Sequence, residues 1–112
     1  MDCIFCKIIA GEIPSALVYQ DENCVAIRDI NPQAPVHVLL MPRKHVRNLN
    51  EAAADPELLG KLMQACAAVA KQEGLAQDGY RVITNIGENG AQTVQHLHFH
   101  ILGGCKLPEK MA

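Results

Sequence analysis

The feature that most constrains the fold is a seven-residue segment near the C-terminus, in which three histidines alternate with large apolar residues. It reads His96-Leu-His-Phe-His-Ile-Leu102. Successive side chains of a β-strand point to opposite faces of its sheet. The alternation therefore predicts a strand over 96–102 that buries its apolar side chains on one face and presents three imidazoles on the other. Neighbouring histidines on that face would lie about 6.6–6.8 Å apart along the strand.

A row of three imidazoles is compatible with two kinds of site. An unperturbed imidazole has a pKa of about 6.5, so such rings can serve as nucleophile, proton carrier and anion clamp near neutral pH. Histidines that alternate along a strand can equally gather a metal ion. A lone histidine is more often an ordinary surface or core residue, but burying three titratable rings without a task is costly. The spacing alone leaves the metal site and the nucleophilic site equally open.

The other hydrophobic periodicities predict an α+β fold. A short helix over 2–10, with Asp2 as its N-cap, precedes three strands. A long helix begins at the sequence Asp55-Pro56-Glu57 and ends before Gly74, and two further strands follow it. The remaining strands are predicted over 17–20, 24–28, 36–41 and 80–85. We therefore expect a single domain over residues 1–112, with a five-stranded, mainly antiparallel sheet covered by one long and one short helix.

Composition excludes several classes of protein. Ten Lys and Arg residues against twelve Asp and Glu leave a net charge of −2, so no basic excess exists to bind a nucleic acid polymer. Five cysteines, an odd number, do not indicate the disulfide framework of a secreted domain. We find no signal-peptide pattern at the N-terminus and no apolar stretch long enough to cross a membrane. These features predict a cytoplasmic protein that binds a small molecule.

The ordered motifs of the chain resemble those of the histidine triad (HIT) family, whose signature matches His96–Leu102. The similarity covers essentially the whole chain and is greatest to the Hint-type nucleoside phosphoramidase branch. The other matching segments are Ile4–Ile9, Glu12–Pro14, Asp29–His37, Pro42–His45, Asn85-x-Gly and Gly90–Gln95. We assign no role to His37, although it lies in one of these motifs.

The resemblance implies hydrolysis of purine nucleoside 5′-phosphoramidates, such as those of adenosine, to a nucleotide and an amine. His98 would attack the α-phosphorus and form a nucleotidyl-histidine that water then hydrolyses. His100 would contact the phosphate and support its developing charge, and Thr93 would place a hydroxyl near the phosphate and the leaving group. By the same resemblance, the chemical step needs no metal or other cofactor.

The resemblance also implies how the nucleotide is held. Asn85 and the backbone around Ala91 and Gln92 would complete the phosphate site, and Asp29 would accept hydrogen bonds from the ribose hydroxyls. The base would lie between four apolar side chains, which are Phe5, Ile8, Ile27 and Ile30. Without the resemblance, Asp29 would be interpreted as a turn-capping residue and the four apolar residues as core.

Two residues of the phosphate loop depart from the usual Gly-Gly-Gln-Ser of the family. Ala91 stands where the second glycine is usual, which is unfavourable if that position needs a positive φ angle. Thr93 stands in place of serine and keeps the hydroxyl.

Cys3 and Cys6 form a CxxC pair, which is only half of a zinc site. Some bacterial HIT proteins complete such a site with two histidines that correspond here to His45 and His96. We therefore expect a structural Cys2His2 zinc that attaches the N-terminal helix to the sheet. The alternatives are reduced cysteines that fill apolar space and a redox-active pair, and the absence of a surrounding βαβ pattern disfavours the latter.

Other functions remain open at this point. The chain could be a nucleotide-binding or zinc-binding regulatory module with little catalysis, because one fold hosts many uses. It could also hydrolyse dinucleoside polyphosphates, although that branch of the family is longer. A nucleotidyl transferase is disfavoured because that branch usually replaces the third histidine, here His100, with glutamine. The resemblance further implies a homodimer in which the sheet continues across a two-fold axis near the long helix.

Overall fold

The computed structural model describes residues 2–111 and contains a five-stranded antiparallel sheet in the order β1-β2-β3-β5-β4. The strands are β1 (Leu17–Gln20), β2 (Cys24–Arg28), β3 (Val36–Pro42), β4 (Tyr80–Ile83) and β5 (Phe99–Gly103). The helices are α1 (Ile4–Ile9), α2 (Leu49–Ala52) and α3 (Pro56–Gln72). The predicted α+β class and the antiparallel five-stranded sheet are thus confirmed. Within this part of the chain, no helix is long and apolar enough to cross a bilayer.

The central strand β3 is buried on both faces of the sheet, as its nearly continuous apolar run predicts. Its even-numbered residues belong to a core shared with the long helix α3, which contributes Leu62, Cys66 and Val69 among others. Leu39 and Met41 belong to a second core on the opposite face, which is covered by α1. The two helices therefore lie on opposite sides of one sheet.

The long helix α3 begins and ends where the sequence predicts. The Asp55 carboxylate accepts a hydrogen bond from the Leu58 N–H, and Pro56 occupies the first turn. At the other end Gly74 has a φ of +76°, the N–H of Gly74 bonds to the Lys71 carbonyl, and the N–H of Leu75 bonds to the Ala70 carbonyl. This pair of bonds is a Schellman motif, which satisfies the last carbonyls of the helix.

Several element boundaries differ from the sequence-based expectation. The N-cap of α1 is Cys3 rather than Asp2, because the Cys3 sulfur accepts a hydrogen bond from the Cys6 N–H. The fourth strand ends at Ile83, two residues earlier than expected. The short helix α2 was not predicted; its N-cap is Asn48, whose side chain accepts from the N–H groups of two following residues.

The histidine strand is shorter than the alternation predicts, because β5 begins only at Phe99. In the register of β3 and β5, Leu40 pairs with Phe99, so continuing the ladder would place Pro42 opposite Leu97. Proline has no N–H to donate to a ladder. The Leu97 N–H instead bonds to the carbonyl of Val46 at 2.7 Å. His96 and His98 therefore lie just outside the strand, with His96 in a bend that precedes it.

Candidate functional site

Although β5 is shorter than predicted, the alternation over residues 96–102 places the apolar side chains and the histidines on opposite sides, as predicted. Leu97, Phe99 and Ile101 all belong to the core beneath α3. On the other side, Phe5 of α1 contacts the rings of His96 and His98 edge-on, at centroid distances of 5.9 and 5.0 Å. The histidines thus face α1 in the space between the short helix and the sheet.

Four side chains from three separate parts of the chain converge at the N-terminal end of α1. They are Cys3, Cys6, His45 and His96, and their potential ligand atoms all lie within 4.8 Å of one another. Four distances between these atoms run from 3.1 to 3.6 Å. Ligand atoms around a tetrahedral zinc with ordinary Zn–S and Zn–N bonds are separated by about 3.3–3.8 Å. The donor set and its spacing therefore fit a tetrahedral Cys2His2 zinc site.

The hydrogen bonding of His96 also suits a metal ligand. Its Nε2 lies 2.9 Å from the Pro42 carbonyl oxygen, which can only accept, so Nε2 carries the proton. In the neutral ring, Nδ1 then presents its lone pair to the two thiols and to His45. In many metal sites a carbonyl that accepts from one ring nitrogen orients the other nitrogen towards the metal in the same way. Burial lowers the pKa of His96, and the neighbouring His45 and His98 lower it further. Burial and the Cys3 thiol raise the pKa of Cys6.

His98 is buried, at 6% exposure, and is held by its neighbours on both sides. Its Nδ1 lies 2.8 Å from the backbone carbonyl oxygen of His96, so Nδ1 carries the proton. Its own carbonyl accepts a hydrogen bond from the Thr84 hydroxyl at 2.8 Å. In the neutral ring this leaves the lone pair on Nε2. His98 therefore has the tautomer and the fixed orientation that a nucleophilic imidazole needs.

His100 lies on β5 beside His98, with 5.2 Å between the ring centroids, and also contacts His37 of β3. The His37 Nε2 lies 2.9 Å from the His100 Nδ1 and 3.3 Å from the Asp29 carboxylate. Burial, together with His98 and His37, lowers the pKa of His100 to about 4. Burial also lowers the pKa of His37, against the opposing effect of Asp29. The pair is therefore neutral at pH 7.

The cluster of Asp29, His37 and His100 also brings three potential metal ligands together, but its hydrogen bonds do not suit a metal. The Gln33 backbone N–H donates to the His37 Nδ1 at 3.0 Å. A neutral His37 must therefore carry its own proton on Nε2, the atom that faces the other two residues. That proton is donated to the His100 Nδ1, and the His100 Nε2–H is left free to donate to a ligand. The arrangement suits hydrogen bonding to an anion.

The loop before the histidines is closed by its own side chains. The Asn85 amide donates to the Gly90 carbonyl at 2.7 Å. Gln92 is buried; its amide oxygen accepts from the Gly87 N–H, and its amide nitrogen donates to the carbonyls of Arg47 and Val94. A Cβ at Gly90 would approach the Ile86 carbonyl oxygen to 2.4 Å, so only glycine fits there.

The backbone of this loop, which the resemblance assigns to anion binding, forms hydrogen bonds within the loop itself. The N–H groups of Ala91 and Gln92 are both bonded within the loop, to the carbonyls of Glu88 and Gly87. The Asn85 side chain is likewise engaged. In this structure the three residues shape the loop, and their direct contribution to a phosphate site stays a prediction. Ala91 has a φ of +60°, so the departure from glycine places a side chain where the backbone disfavours one.

The residues expected to hold the base fall into two groups. Phe5, Ile27 and the half-buried Ile8 belong to the core beneath α1, whereas Ile30 is fully exposed and does not contribute to this core.

Thr93 is exposed and lines a cavity beside Cys3, Ile4 and His45. Asp29 accepts from the Asn31 N–H at 2.8 Å, which is the turn-capping contact expected without the resemblance. Its second oxygen faces His37.

Two residues of the site were not interpreted from the sequence. His37 orients His100, and the Thr84 hydroxyl holds the His98 carbonyl. His37 carried a signal, since it is a polar residue at the start of an otherwise apolar strand. Thr84 is an ordinary residue at the end of β4 and carried none.

The fold and the site together define a class of protein: a small α+β domain in which a row of imidazoles lies beside a tight glycine-containing loop. The family model described as "HIT domain" matches residues 10–107. The chain belongs to the HIT domain family.

Relatives and solved structures agree with this assignment. The purine nucleoside phosphoramidase of Escherichia coli K12 is 46% identical, over 99% of this chain and 94% of that protein. A 14 kDa zinc-binding protein of Zea mays is 52% identical, over 93% of this chain and 83% of that protein. The crystal structure of a HIT family hydrolase from Legionella pneumophila has a TM-score of 0.94 and 42% identity, and covers 99% of this chain and 100% of that chain. Family membership and these neighbours support a nucleotide hydrolase.

Proposed function

We propose that the protein hydrolyses purine nucleoside 5′-phosphoramidates, with adenosine phosphoramidates as the model substrates. The observation that carries the proposal is the hydrogen bond from the His98 Nδ1 to the His96 carbonyl, which leaves the Nε2 lone pair available to a phosphorus atom. The naming of the Escherichia coli relative as a purine nucleoside phosphoramidase supports the choice of substrate.

The reaction has two displacements at the same phosphorus atom. The His98 Nε2 first forms a bond to the α-phosphorus while the bond from phosphorus to the amine breaks, and the amine takes up a proton from the solvent as it leaves. Water then attacks phosphorus and gives up a proton to the solvent, the bond to His98 breaks, and the nucleotide is released. The His100 Nε2–H donates to a phosphate oxygen as charge develops there, and the Thr93 hydroxyl lies close to the phosphate and leaving group.

The Cys/His cluster supports a second proposal, a structural zinc ion that attaches α1 to the sheet. Two thiolates would balance the charge of Zn²⁺, and the Pro42 carbonyl already orients His96 for it. The zinc-binding relative from maize supports the same assignment. The ion is not needed for the displacement at phosphorus, which is assigned to His98.

We also propose a homodimer. The edge strand β4 exposes Tyr80 and Val82, each at 39%, and α3 exposes Met63 at 43% together with the small residues Ala67 and Ala68. An exposed edge with apolar neighbours favours continuation of the sheet into a second copy. Sedimentation analysis over a range of concentrations tests this; a monomer at all of them contradicts it.

Trapping the intermediate tests the catalytic proposal. We expect protein mixed with adenosine 5′-phosphoramidate to gain the mass of one adenylyl group, and the adduct to be lost in acid, as a phosphorus–nitrogen bond to histidine requires. The His98→Ala variant should form no adduct and lose at least about 10³-fold in turnover. Wild-type turnover in this variant would refute the mechanism. AMP binding without any adduct would favour a regulatory module, and faster cleavage of diadenosine polyphosphates would favour that substrate class.

A further inference from the structure

We propose that the Cys/His cluster and Phe5 together position the nucleophile, so that the cluster controls catalysis as well as stability. The inference rests on the proposed role of His98. It assigns Phe5 and His96 as positioning residues, since neither needs to touch the reacting phosphorus. It also predicts that loss of the metal from the cluster disorders the ring of His98.

The first connection runs through the backbone of His96. The side chain of this residue belongs to the cluster, with its Nδ1 3.4 Å from the Cys3 sulfur and 3.1 Å from the His45 Nδ1. Its peptide carbonyl accepts the hydrogen bond that fixes the tautomer of His98. One residue therefore holds the metal site with its ring and the nucleophile with its carbonyl. The segment that contains both lies outside the strand ladder, so the ladder does not hold it.

The second connection runs through Phe5, which stands between the two cysteines in the sequence. Cys3 caps α1 and Cys6 lies in its first turn, so a metal bound to both sulfurs would fix the residues between them. The Phe5 ring is buried, at 6% exposure, and meets the His98 ring edge-on at an interplanar angle of 81°. This contact blocks one side of the imidazole. Rotation of the ring out of its hydrogen bond would require Phe5, and with it α1, to move.

The chain offers a matched control because it contains two phenylalanines, both buried. Phe99 packs in the core on the α3 face of the sheet, whereas Phe5 packs against His98 on the other face. Phe5→Leu and Phe99→Leu remove the same ring from an apolar environment. Only the first change removes the contact with the nucleophile, and neither changes a metal ligand.

The primary readout is the tautomer of His98 in the zinc-loaded protein without substrate, from the ring nitrogen shifts in long-range ¹H–¹⁵N spectra at mildly alkaline pH. We expect a single tautomer with the proton on Nδ1 in the wild type and in Phe99→Leu. We expect a mixture of tautomers in Phe5→Leu at unchanged zinc content. The turnover number of Phe5→Leu should fall by about 10- to 100-fold, and that of Phe99→Leu should stay within about twofold of wild type.

Extraction of zinc from the wild type provides a second measurement that does not depend on the folding of either variant. The metal-free protein should show the same mixture of tautomers, and restored zinc should restore the single form. A single Nδ1–H tautomer both in Phe5→Leu and in the metal-free wild type would overturn the inference. Failure of the proposed function would look different, because the wild type would then form no adenylyl adduct while these spectra could still be recorded.

Discussion

The Nε2 atom of His37 lies 2.9 Å from the Nδ1 atom of His100, and the Gln33 backbone N–H occupies the other ring nitrogen of His37. These two contacts set the tautomers of both neutral rings. The His37 proton is on Nε2 and is donated to His100, whose own proton is therefore on Nε2 and points away from His37. A residue to which the sequence assigned no role thus prepares His100 to donate to an anion.

This neutral pair predicts how stability depends on pH. The pKa of His100 is lowered to about 4 in the folded protein, whereas an unfolded histidine has a pKa of about 6.5. Between these values the unfolded chain binds a proton that the folded chain does not. The free energy of unfolding should therefore fall as the pH falls through this window, by up to about 1.4 kcal/mol per pH unit for this residue, with no contribution above it.

The His100→Gln variant isolates this contribution, because the other histidines remain in both proteins. Urea unfolding measured between about pH 7 and about pH 5 should give a shallower loss of stability in the variant than in the wild type. Equal slopes in the two proteins would show that His100 is not held neutral in the folded state.

The strained alanine of the loop predicts a stabilising substitution. Ala91 has a φ of +60°, where glycine is favoured and a Cβ is disfavoured. We expect Ala91→Gly to raise the free energy of unfolding by about 1 kcal/mol, measured by urea denaturation. The control is Ala67→Gly on the exposed face of α3, which should lower it by about 0.5–1 kcal/mol. Destabilisation in both variants would mean that position 91 is unstrained in solution.

The expected role of Asp29 as an acceptor for the ribose hydroxyls predicts that this residue favours nucleotides with a ribose over those that lack its hydroxyls. Its Oδ1 holds the turn through Asn31, and an asparagine in its place would keep that acceptor while replacing the second carboxylate oxygen with a donor. That donor would also face the Nε2–H of His37, so part of the effect of this substitution would act through His37 and His100. We expect Asp29→Asn to weaken AMP binding by about tenfold in calorimetry. The loss should be clearly smaller for the 2′,3′-dideoxy nucleotide, which lacks the hydroxyls and retains only the part of the effect that acts through His37 and His100. The remote, exposed Asp78→Asn should match wild type. An Asp29→Asn protein that still prefers the ribose as strongly as wild type does would exclude this role.

The Cys/His cluster predicts the metal content of the protein. Protein purified without chelator should contain about one equivalent of zinc, and Cys3→Ser should contain less than about a tenth of that. Cys3→Ser should also unfold at lower urea concentration, because a ligand bound only to the folded state stabilises that state. Cys105→Ser, at an exposed cysteine outside the cluster, is the control and should keep the metal. Wild-type protein that carries less than about a tenth of an equivalent of zinc as purified, together with no loss of stability in Cys3→Ser, would refute the zinc proposal.

Local patterns were sufficient for most of the fold. The strands β2 and β3 and the helix α3 follow from apolar periodicity and capping residues, whose effects act within a few residues. The alternation of residues 96–102 correctly predicted which side chains share a face but overestimated the length of the strand. The residue at which β5 begins depends on Pro42, which is distant in the sequence and cannot donate a hydrogen bond to the ladder. The helix α2 is only one turn long, so its apolar pattern is too short to be recognised, and the capping contact of Asn48 is visible only in the structure.

By itself, the sequence determined the fold class, the face on which the histidines lie and, through its resemblance to the HIT family, the residues expected to carry the chemistry. The resemblance also placed His96 with the cysteines, but only the tertiary structure decided that the carbonyl of the same residue orients His98 and that His37 orients His100. The contacts of Cys3 with His96 and of His37 with His100 join residues far apart in the chain, and all of these contacts depend on atoms placed to within an ångström. Periodicity determines the face of a sheet on which a side chain lies, but packing determines which ring nitrogen carries its proton.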